Sequence, residues 1–168
     1  MAITIRAPTA GADVERYTRL VRRVLDVPVV CISLFDADGW LTTSSHGLPP
    51  PNAMLIAWSF LKRTNGTGRP LVIEDARADP RVMRMPMVQD GMVAAYLGMK
   101  LVAPDGRVVG TLSAMDEKPR RWSARDLAFT QQVGGRIVAE RDGKRDGKAG
   151  AGGLPKEEET AALAGGVG

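Results

Sequence analysis

The sequence predicts an α+β fold in which helices cover the faces of one central antiparallel sheet of five to six strands. Two pairs of strand-like segments are joined by turns too short for a crossover connection, so the strands of each pair must run antiparallel. Segments with apolar residues at helical spacing lie before, between and after these pairs, and such helices bury their apolar sides on a sheet. A doubly wound parallel sheet does not fit this order.

The first predicted helix follows Asp13, a favourable N-cap residue, and ends near Asp26. Its apolar residues recur at helical spacing and are Val14, Tyr17, Leu20, Val21, Val24 and Leu25. Pro28 then begins the segment VPVVCISLF, which is apolar on both alternating faces. This pattern is typical of a central strand that is covered on both sides.

The middle of the chain is predicted to form a hairpin and a second helix. Residues 36–39, with the sequence Asp-Ala-Asp-Gly, have the composition of a hairpin turn, and Trp40–Ser45 returns as a more polar strand. The Gly-Leu-Pro-Pro-Pro run at 47–51 breaks the chain. Ala53–Arg63 follows as a mostly apolar helix, which residues 65–68 end.

The second half contains a long irregular segment, a hairpin and a last helix. Leu71–Glu74 is a short strand, and Asp75–Val93 is irregular, with two prolines and room for one helical turn. A compact domain seldom keeps such a loop without a use for it. Two strand-like runs, Ala94–Ala103 and Val108–Met115, flank the turn at 104–107. A final helix is predicted to run from Ala124 to about Arg141.

Composition indicates one domain of ordinary hydrophobicity. We expect a flexible N-terminus at 1–12, one domain at 13–141 and a disordered tail at 142–168, because the tail is rich in Gly, Ala and charge and has few large apolar residues. The net charge is +4, but basic and acidic residues are interleaved, so neither nucleic acid nor a membrane is an expected partner. We find no signal peptide, and a cytoplasmic location is expected.

Three long stretches follow one another in the second half of the chain: GRPLVIEDARADPRV from Gly68, AAYLGMKLVAPDGRVVGTLSAMD from Ala94 and EKPRRWSARDLAF from Glu117. In this order they resemble the GAF domain family, whose fold is related to that of PAS domains. The resemblance spans roughly Val14 to Arg141. It implies the strand order 2-1-5-4-3 and a ligand pocket between the sheet and the segment 75–93.

The resemblance also implies which residues would surround that pocket. Aromatic side chains on three elements of the GAF architecture are expected at one cavity, namely Trp40, Trp58 and Tyr96. Possible polar anchors are Thr42, Thr111 and Ser113, of which the last two share one face of their strand. Asp75 ends a strand at the expected mouth. The alternative is that Trp40 and Trp58 only pack in the core.

Catalytic and cofactor functions find little support in the residues. The branch of the family that reduces free methionine sulfoxide needs several cysteines, whereas this chain has only Cys31, in an apolar strand. His46 precedes Gly47 and could ligate haem, as in some GAF oxygen sensors, but nothing near it indicates an iron site. The NKFDE signature of cyclic-nucleotide binding is missing, and no cysteine is placed to hold a bilin. We therefore predict no enzyme activity and no cofactor.

Two functions remain open from the sequence. The first is a sensor that binds a small molecule and signals to a partner protein such as a histidine kinase or phosphatase. The second is a ligand-free scaffold for protein interaction or dimerisation. A homodimer through Val14–Leu25 and Ala124–Arg141 would explain the pair Gly134-Gly135 in the last helix, since mid-helix glycine costs about 1 kcal/mol each. Alternatively, both helices simply cover one sheet face.

Overall fold

The computed structural model describes residues 12–35, 41–63 and 69–145. The helices in these ranges are α1 (Ala12–Leu25), α2 (Pro50–Leu61), α3 (Pro86–Gln89) and α4 (Ala124–Arg145). The strands are β1 (Val29–Phe35), β2 (Leu41–His46), β3 (Leu71–Ile73), β4 (Ala95–Val102) and β5 (Val108–Asp116). None of the described helices is long and apolar enough to cross a membrane.

The strands form one antiparallel sheet in the order β2-β1-β5-β4-β3, which confirms the predicted fold class. Strand β1 lies between β2 and β5, so that Cys31 is paired with Ser45 on one side and with Ser113 on the other. The short strand β3 pairs with β4 at the opposite edge. The three central strands β1, β5 and β4 therefore contribute side chains to both covered faces.

One face of the sheet, which we name the α1/α4 face, packs against the first and last helices. Its central-strand residues are apolar and include Val30, Ile32, Leu97, Met99, Leu112 and Ala114. On the helices, Val21 and Val133 are buried in the same cluster. The two helices also contact each other, because the Tyr17 hydroxyl donates to Glu140 Oε1 at 2.6 Å. Both helices therefore cover the same face of the sheet.

The other face, which we name the α2 face, lies under α2 and the segment 75–93. The alternation of the central strands places on it Cys31, Ser33 and Phe35 from β1, Tyr96, Gly98 and Lys100 from β4, and Thr111, Ser113 and Met115 from β5. Side chains of the segment 75–93 enter the same core and include Val82, Met85, Val88 and Val93. The long irregular segment is therefore part of the packed domain.

Four helix boundaries differ from the predicted ones. Helix α1 begins at Ala12, so Asp13 lies in its first turn and the prediction that Asp13 is the N-cap is wrong. Helix α2 ends at Leu61, before the predicted end at Arg63.

Helix α2 begins at Pro50, ahead of the predicted start at Ala53, because prolines fit the first turn of a helix, where backbone N–H groups have no intrahelical partner. Helix α4 continues to Arg145, beyond the predicted end at Arg141. The predicted turns at 36–39 and 65–68 lie outside the described residues, as do 1–11 and 146–168.

Candidate functional site

Tyr96 lies at the centre of the α2 face and is fully buried. Its ring folds along its own strand over Gly98, where an added Cβ would come within 2.7 Å of the ring carbon Cζ. The ring stacks on Phe60 of α2 with a centroid distance of 4.4 Å. Glycine at position 98 is therefore required for the tyrosine to lie flat between the sheet and the helix.

The hydroxyl of Tyr96 is bonded within the protein. It lies 2.7 Å from Ser113 Oγ, on the strand residue paired with Gly98, and it donates to the carbonyl of Ala57 at 3.4 Å. Burial raises the pKa of Tyr96 far above its ordinary value, so the group is a neutral phenol at any physiological pH. Tyr96 and Ser113 thus satisfy each other's hydrogen bonds.

A second polar pair lies on the same face, between β1 and β2. Ser33 Oγ and Thr43 Oγ1 are 3.1 Å apart, and the Thr43 hydroxyl also contacts Met54 Sδ of α2 at 3.8 Å. Cys31 Sγ lies 3.8 Å from Ser33 Oγ. Burial raises the pKa of the Cys31 thiol to about 12, so the sulfur stays protonated and is a poor nucleophile.

Two further polar atoms on this side of the sheet have no hydrogen-bond partner among the described residues, namely Trp58 Nε1 and Thr111 Oγ1. Trp58 of α2 is 4% exposed and Thr111 of β5 is 0% exposed. The Trp58 ring lies 6.1 Å from the ring of Phe35, and Thr111 is paired with Ser33 and Lys100. An unsatisfied buried polar group costs about 1–3 kcal/mol, so two of them beside one core require an explanation.

The predicted site residues fall into three groups. Trp58, Tyr96, Thr111 and Ser113 are brought together on the α2 face, where Trp58 and Tyr96 belong to one buried cluster. Asp75 is exposed at the end of β3, and its Oδ1 accepts the backbone N–H of Arg77 at 3.1 Å.

The other two predicted residues come from the first hairpin. Thr42 lies in β2, paired with Leu34, and Trp40 lies outside the described residues.

Sequence reasoning missed Ser33, Thr43 and Phe60, which the structure places beside the predicted set. Ser33 was the available signal, since it is the one hydroxyl residue in the strand VPVVCISLF. The polar run Thr-Thr-Ser-Ser in β2 contains four hydroxyl side chains, and the sequence does not indicate which of them face the core. Only the register, which pairs Thr43 with Ser33, distinguishes the contributing threonine.

The segment 75–93 is held by its own polar contacts as well as by its buried apolar side chains. The Arg81 guanidinium donates to Asp79 Oδ2 at 2.6 Å and to the carbonyl of Val72 in β3 at 3.2 Å. The hydrogen bond between the two side chains lowers the pKa of Asp79 and raises that of Arg81. Two residues beyond α2, Arg63 Nε donates to the carbonyl of Arg81 at 2.8 Å. The segment is thereby tied to two sides of the α2 face.

The residues considered for metal or haem do not converge. His46 is exposed, and it is paired with Val30, whose side chain belongs to the α1/α4 face. That position does not fit an axial haem ligand on the α2 face. Within the described ranges, no group of three or more His, Cys, Asp or Glu side chains could hold a metal ion.

A separate groove of about 290 Å³ lies between β4 and α4, on the opposite side of the sheet. Its lining is Met99, Lys100, Leu101, Val102, Pro104, Gln131, Gly134, Gly135 and Val138. None of the described buried polar atoms that lack a partner belongs to this lining. The α2 face is therefore the better candidate for a specific polar ligand.

The fold and these contacts define an α+β domain built on one antiparallel sheet, and comparison with known families identifies it. The model of the GAF domain family matches residues 14–140, so the chain belongs to the GAF domain family. GAF domains are common sensory and regulatory modules of signalling proteins. No curated protein matches the sequence.

Several solved structures share the fold. A domain assigned to a two-component sensor histidine kinase of Sinorhizobium meliloti aligns with a TM-score of 0.61 and 17% identity, over 82% of this chain and 95% of that one. The GAF domain of a phosphoenolpyruvate-protein phosphotransferase from Coxiella burnetii aligns with a TM-score of 0.59 and 14% identity, over 84% and 87%. At such identities the likeness shows the fold alone.

Another similar structure is an enzyme. The free methionine-R-sulfoxide reductase of Neisseria meningitidis, in complex with its substrate, aligns with a TM-score of 0.56 and 15% identity, over 86% of this chain and 98% of that one. In the present chain the one cysteine, Cys31, is fully buried. A thiol that attacks a sulfoxide needs a second thiol to resolve the product, and this sequence has none.

Proposed function

We propose that this chain is a non-catalytic, cytoplasmic GAF domain that binds a small molecule on the α2 face and signals to a partner protein. The ligand lies between the sheet, α2 and the segment 75–93. The binding residues are those predicted from the sequence: Trp40, Thr42, Trp58, Asp75, Tyr96, Thr111 and Ser113. Of these, Trp58 and Thr111 make the primary polar contacts.

The observation that carries this proposal is the pair of buried polar atoms without described partners, Trp58 Nε1 and Thr111 Oγ1. The indole N–H can only donate a hydrogen bond, whereas the threonine hydroxyl can donate or accept. A ligand that presents an acceptor, such as a carbonyl or carboxylate oxygen, satisfies Trp58. A second polar atom on the same ligand satisfies Thr111, and both desolvation costs are then offset by binding.

Tyr96 and Ser113 have a different role in this proposal. Because their hydroxyls are bonded to each other at 2.7 Å, they are not available to a ligand without rearrangement. The Tyr96 ring, stacked on Phe60, instead supplies a rigid apolar wall. Asp75 is exposed and contributes at the edge of the site.

A thermal-shift panel of metabolites and nucleotides tests the proposal. A ligand at 100 times its Kd stabilises the protein by about 2.7 kcal/mol, which is a readily measured shift of the unfolding temperature. Thr111→Val should abolish most of this shift, and Trp58→Phe should reduce it, because each removes a polar contact and keeps the shape. A panel in which no compound stabilises the protein would count against the proposal.

Thr18→Val is the matched control for Thr111→Val. Thr18 is a threonine of α1, 2% exposed, whose hydroxyl donates to the carbonyl of Val14 in its own helix. The same chemical change is thus made on the opposite side of the sheet. A ligand-induced shift that Thr111→Val retains in full, as Thr18→Val should, contradicts the assigned role of Thr111.

The second candidate, a ligand-free scaffold, is favoured by how completely Tyr96 and Phe60 fill the centre of the α2 face. In that case Trp58 and Thr111 bind ordered water, and a partner protein contacts the outer surface. The two candidates differ in one measurement. A scaffold retains its complex with a partner kinase or phosphatase in the Thr111→Val variant, whereas a ligand-dependent complex is weakened.

For the readout we propose a homodimer through the outer sides of α1 and α4. Leu20 and Val24 of α1 are 39% and 50% exposed, so this helix presents an apolar strip away from the core. Light scattering at micromolar concentration should give the mass of a dimer, and Val24→Glu should give that of a monomer. A monomeric wild-type protein rules out this part of the proposal. The similar Sinorhizobium meliloti domain motivates the choice of a kinase as partner.

A further inference from the structure

Asp116 at the end of β5 and the connection that follows it, residues 117–122, contact two parts of the domain that are distant in sequence and lead into α4. We call these residues the 116–122 strap. The first contact is with the end of α1, where the guanidinium of Arg120 donates from Nη2 to the carbonyl of Leu25 at 2.8 Å and from Nη1 to that of Asp26 at 2.9 Å. The last carbonyls of a helix have no intrahelical partner, so a cation that binds two of them stabilises this end.

The second contact is with the end of β3, where the segment 75–93 begins. The backbone N–H of Arg120 donates to the carbonyl of Glu74 at 3.0 Å, and Trp122 Nε1 donates to that of Ile73 at 3.1 Å. The other end of the segment is attached as well, because Ala94 N donates to the carbonyl of Asp116 at 2.8 Å. The residues that flank the segment 75–93, Glu74 and Ala94, are therefore both bonded to the strap.

The strap leads directly into the N-terminus of α4. Ser123 and Asp126 cap this helix reciprocally, with Ser123 N donating to Asp126 Oδ2 at 2.8 Å and Asp126 N donating to Ser123 Oγ at 3.1 Å. Trp122 directly precedes the cap, and its ring lies 4.6 Å below the guanidinium carbon of Arg120. The side chains that bind β3 and α1 are therefore stacked on each other at the start of α4.

We propose that the strap is a conformational link through which the segment 75–93 controls the ends of α1 and α4. Arg120 and Trp122 form one stacked unit. Because the backbone N–H of Arg120 binds the Glu74 carbonyl, a displacement of Glu74 moves Arg120 and draws its guanidinium away from the carbonyls at the end of α1. This inference rests on the proposed function, because it gives the route by which a ligand that orders the segment 75–93 would change the conformation of α1 and α4. The link itself is a property of the ligand-free domain and can be tested there.

Hydrogen exchange with mass spectrometry on the ligand-free full chain provides the test. Trp122→Phe keeps an aromatic ring under Arg120 but removes the hydrogen bond to Ile73. We expect exchange about fivefold faster at residues 71–76, the factor for a net hydrogen bond of about 1 kcal/mol, and also faster exchange at residues 22–27 of α1. Acceleration confined to 71–76 would mean that Trp122 acts only locally, and it would overturn the proposal.

The reverse perturbation starts within the segment. Val82 is buried and remote in sequence from the strap, and Val82→Ala loosens the packing of the segment. If the link operates, Val82→Ala accelerates exchange at residues 22–27 in the wild-type background and has no additional effect there in an Arg120→Gln background. Unchanged exchange at 22–27 in the wild-type background contradicts the link.

Arg121→Gln is the charge-matched control, because Arg121 is an exposed neighbour of Arg120. It should leave both regions unchanged. If Arg120→Gln does not fold, Arg120→Lys keeps the charge but cannot bind two carbonyls with one planar group, and it should accelerate exchange at 22–27 to a smaller extent. Because no ligand is used, a ligand panel without hits leaves this test valid, and failure of the link leaves ligand binding open.

Discussion

The two faces of the sheet bury different chemistry although the same three central strands build both. On the α1/α4 face, β1, β5 and β4 contribute apolar side chains and one glycine. On the α2 face the same strands contribute three hydroxyl side chains at the buried positions Ser33, Thr111 and Ser113, together with the phenol of Tyr96. Packing alone accounts for the first face. The second buries polar groups whose desolvation must be offset by hydrogen bonds, and Thr111 Oγ1 has no partner among the described residues, which is why the proposed ligand site is placed there.

The largest expected effect is on the α1/α4 face. Leu97 of β4 is fully buried between the sheet and the helices, so Leu97→Ala should lower the free energy of unfolding by about 2–5 kcal/mol through lost burial and a residual cavity. Urea denaturation followed by circular dichroism measures this change. Thr111→Val on the α2 face is the comparison and should be neutral or stabilising in the absence of ligand, since it removes a buried hydroxyl that has no partner among the described residues. Similar losses of unfolding free energy in both variants would contradict the distinction between an apolar face that stabilises the fold and a face with polar groups that do not.

A smaller loss of folding stability is expected for a substitution within the α2 face. Tyr96→Phe keeps the stacking on Phe60 but leaves Ser113 Oγ buried without the phenol, which should cost about 1–3 kcal/mol. The same denaturation experiment measures it. Ser113→Ala in combination with Tyr96→Phe is the control, because a double-mutant cycle isolates the bond between the two hydroxyls. Strictly additive losses would show that the bond does not contribute.

The fold class could be predicted from the sequence because its signals are local, whereas the strand order 2-1-5-4-3 came from the resemblance to the GAF domain family. Hydrophobic alternation and short turns identified the antiparallel pairs, and period-two spacing correctly placed Thr111 and Ser113 on one face. Prolines 50 and 51 were ambiguous, since proline both breaks a chain and begins a helix. The start of α2 was therefore predicted too late.

The site could be predicted only in part, because its details depend on contacts between elements. The bond between Tyr96 and Ser113 requires the missing side chain of Gly98, and the partner of Ser33 depends on the register of β2. Whether Trp58 Nε1 finds an acceptor is decided by the neighbours of its helix rather than by its own sequence. Contacts of this kind join residues that are far apart in the sequence and leave no periodic pattern in it. The sequence therefore indicates which residue types line the face but not which side chains bind each other.

The two adjacent glycines of α4, Gly134 and Gly135, differ in how closely they approach the sheet. An added Cβ at Gly134 would come within 3.0 Å of Met99 Sδ, whereas one at Gly135 meets nothing within 4 Å. Gly135→Ala should therefore raise the free energy of unfolding by about 1 kcal/mol, and Gly134→Ala should raise it less, because the contact with Met99 offsets the gain in helix propensity. Thermal unfolding of the two variants checks the order. The opposite order would show that Gly135 is packed against a second molecule.

The smallest expected effect concerns Asp79 and depends on pH. The hydrogen bonds from Arg81 hold the pKa of Asp79 below its ordinary value, so the ionised form stabilises the fold above about pH 4, the unfolded value, and this stability is lost as the pH falls through the lowered folded value. More than half of the Arg81 side chain is exposed, which limits the contribution to about 0.5–1 kcal/mol.

Asp79→Asn should accordingly be less stable than the wild type at pH 7, and the difference should shrink towards zero as the pH is lowered below 4. Urea denaturation at a series of pH values measures it. Asp90→Asn, at an exposed carboxylate of the same segment, controls for the change in net charge and should show no such convergence. A difference that is independent of pH would mean that Asp79 acts through the backbone hydrogen bond of its turn, which Asn reproduces less well, rather than through its charge.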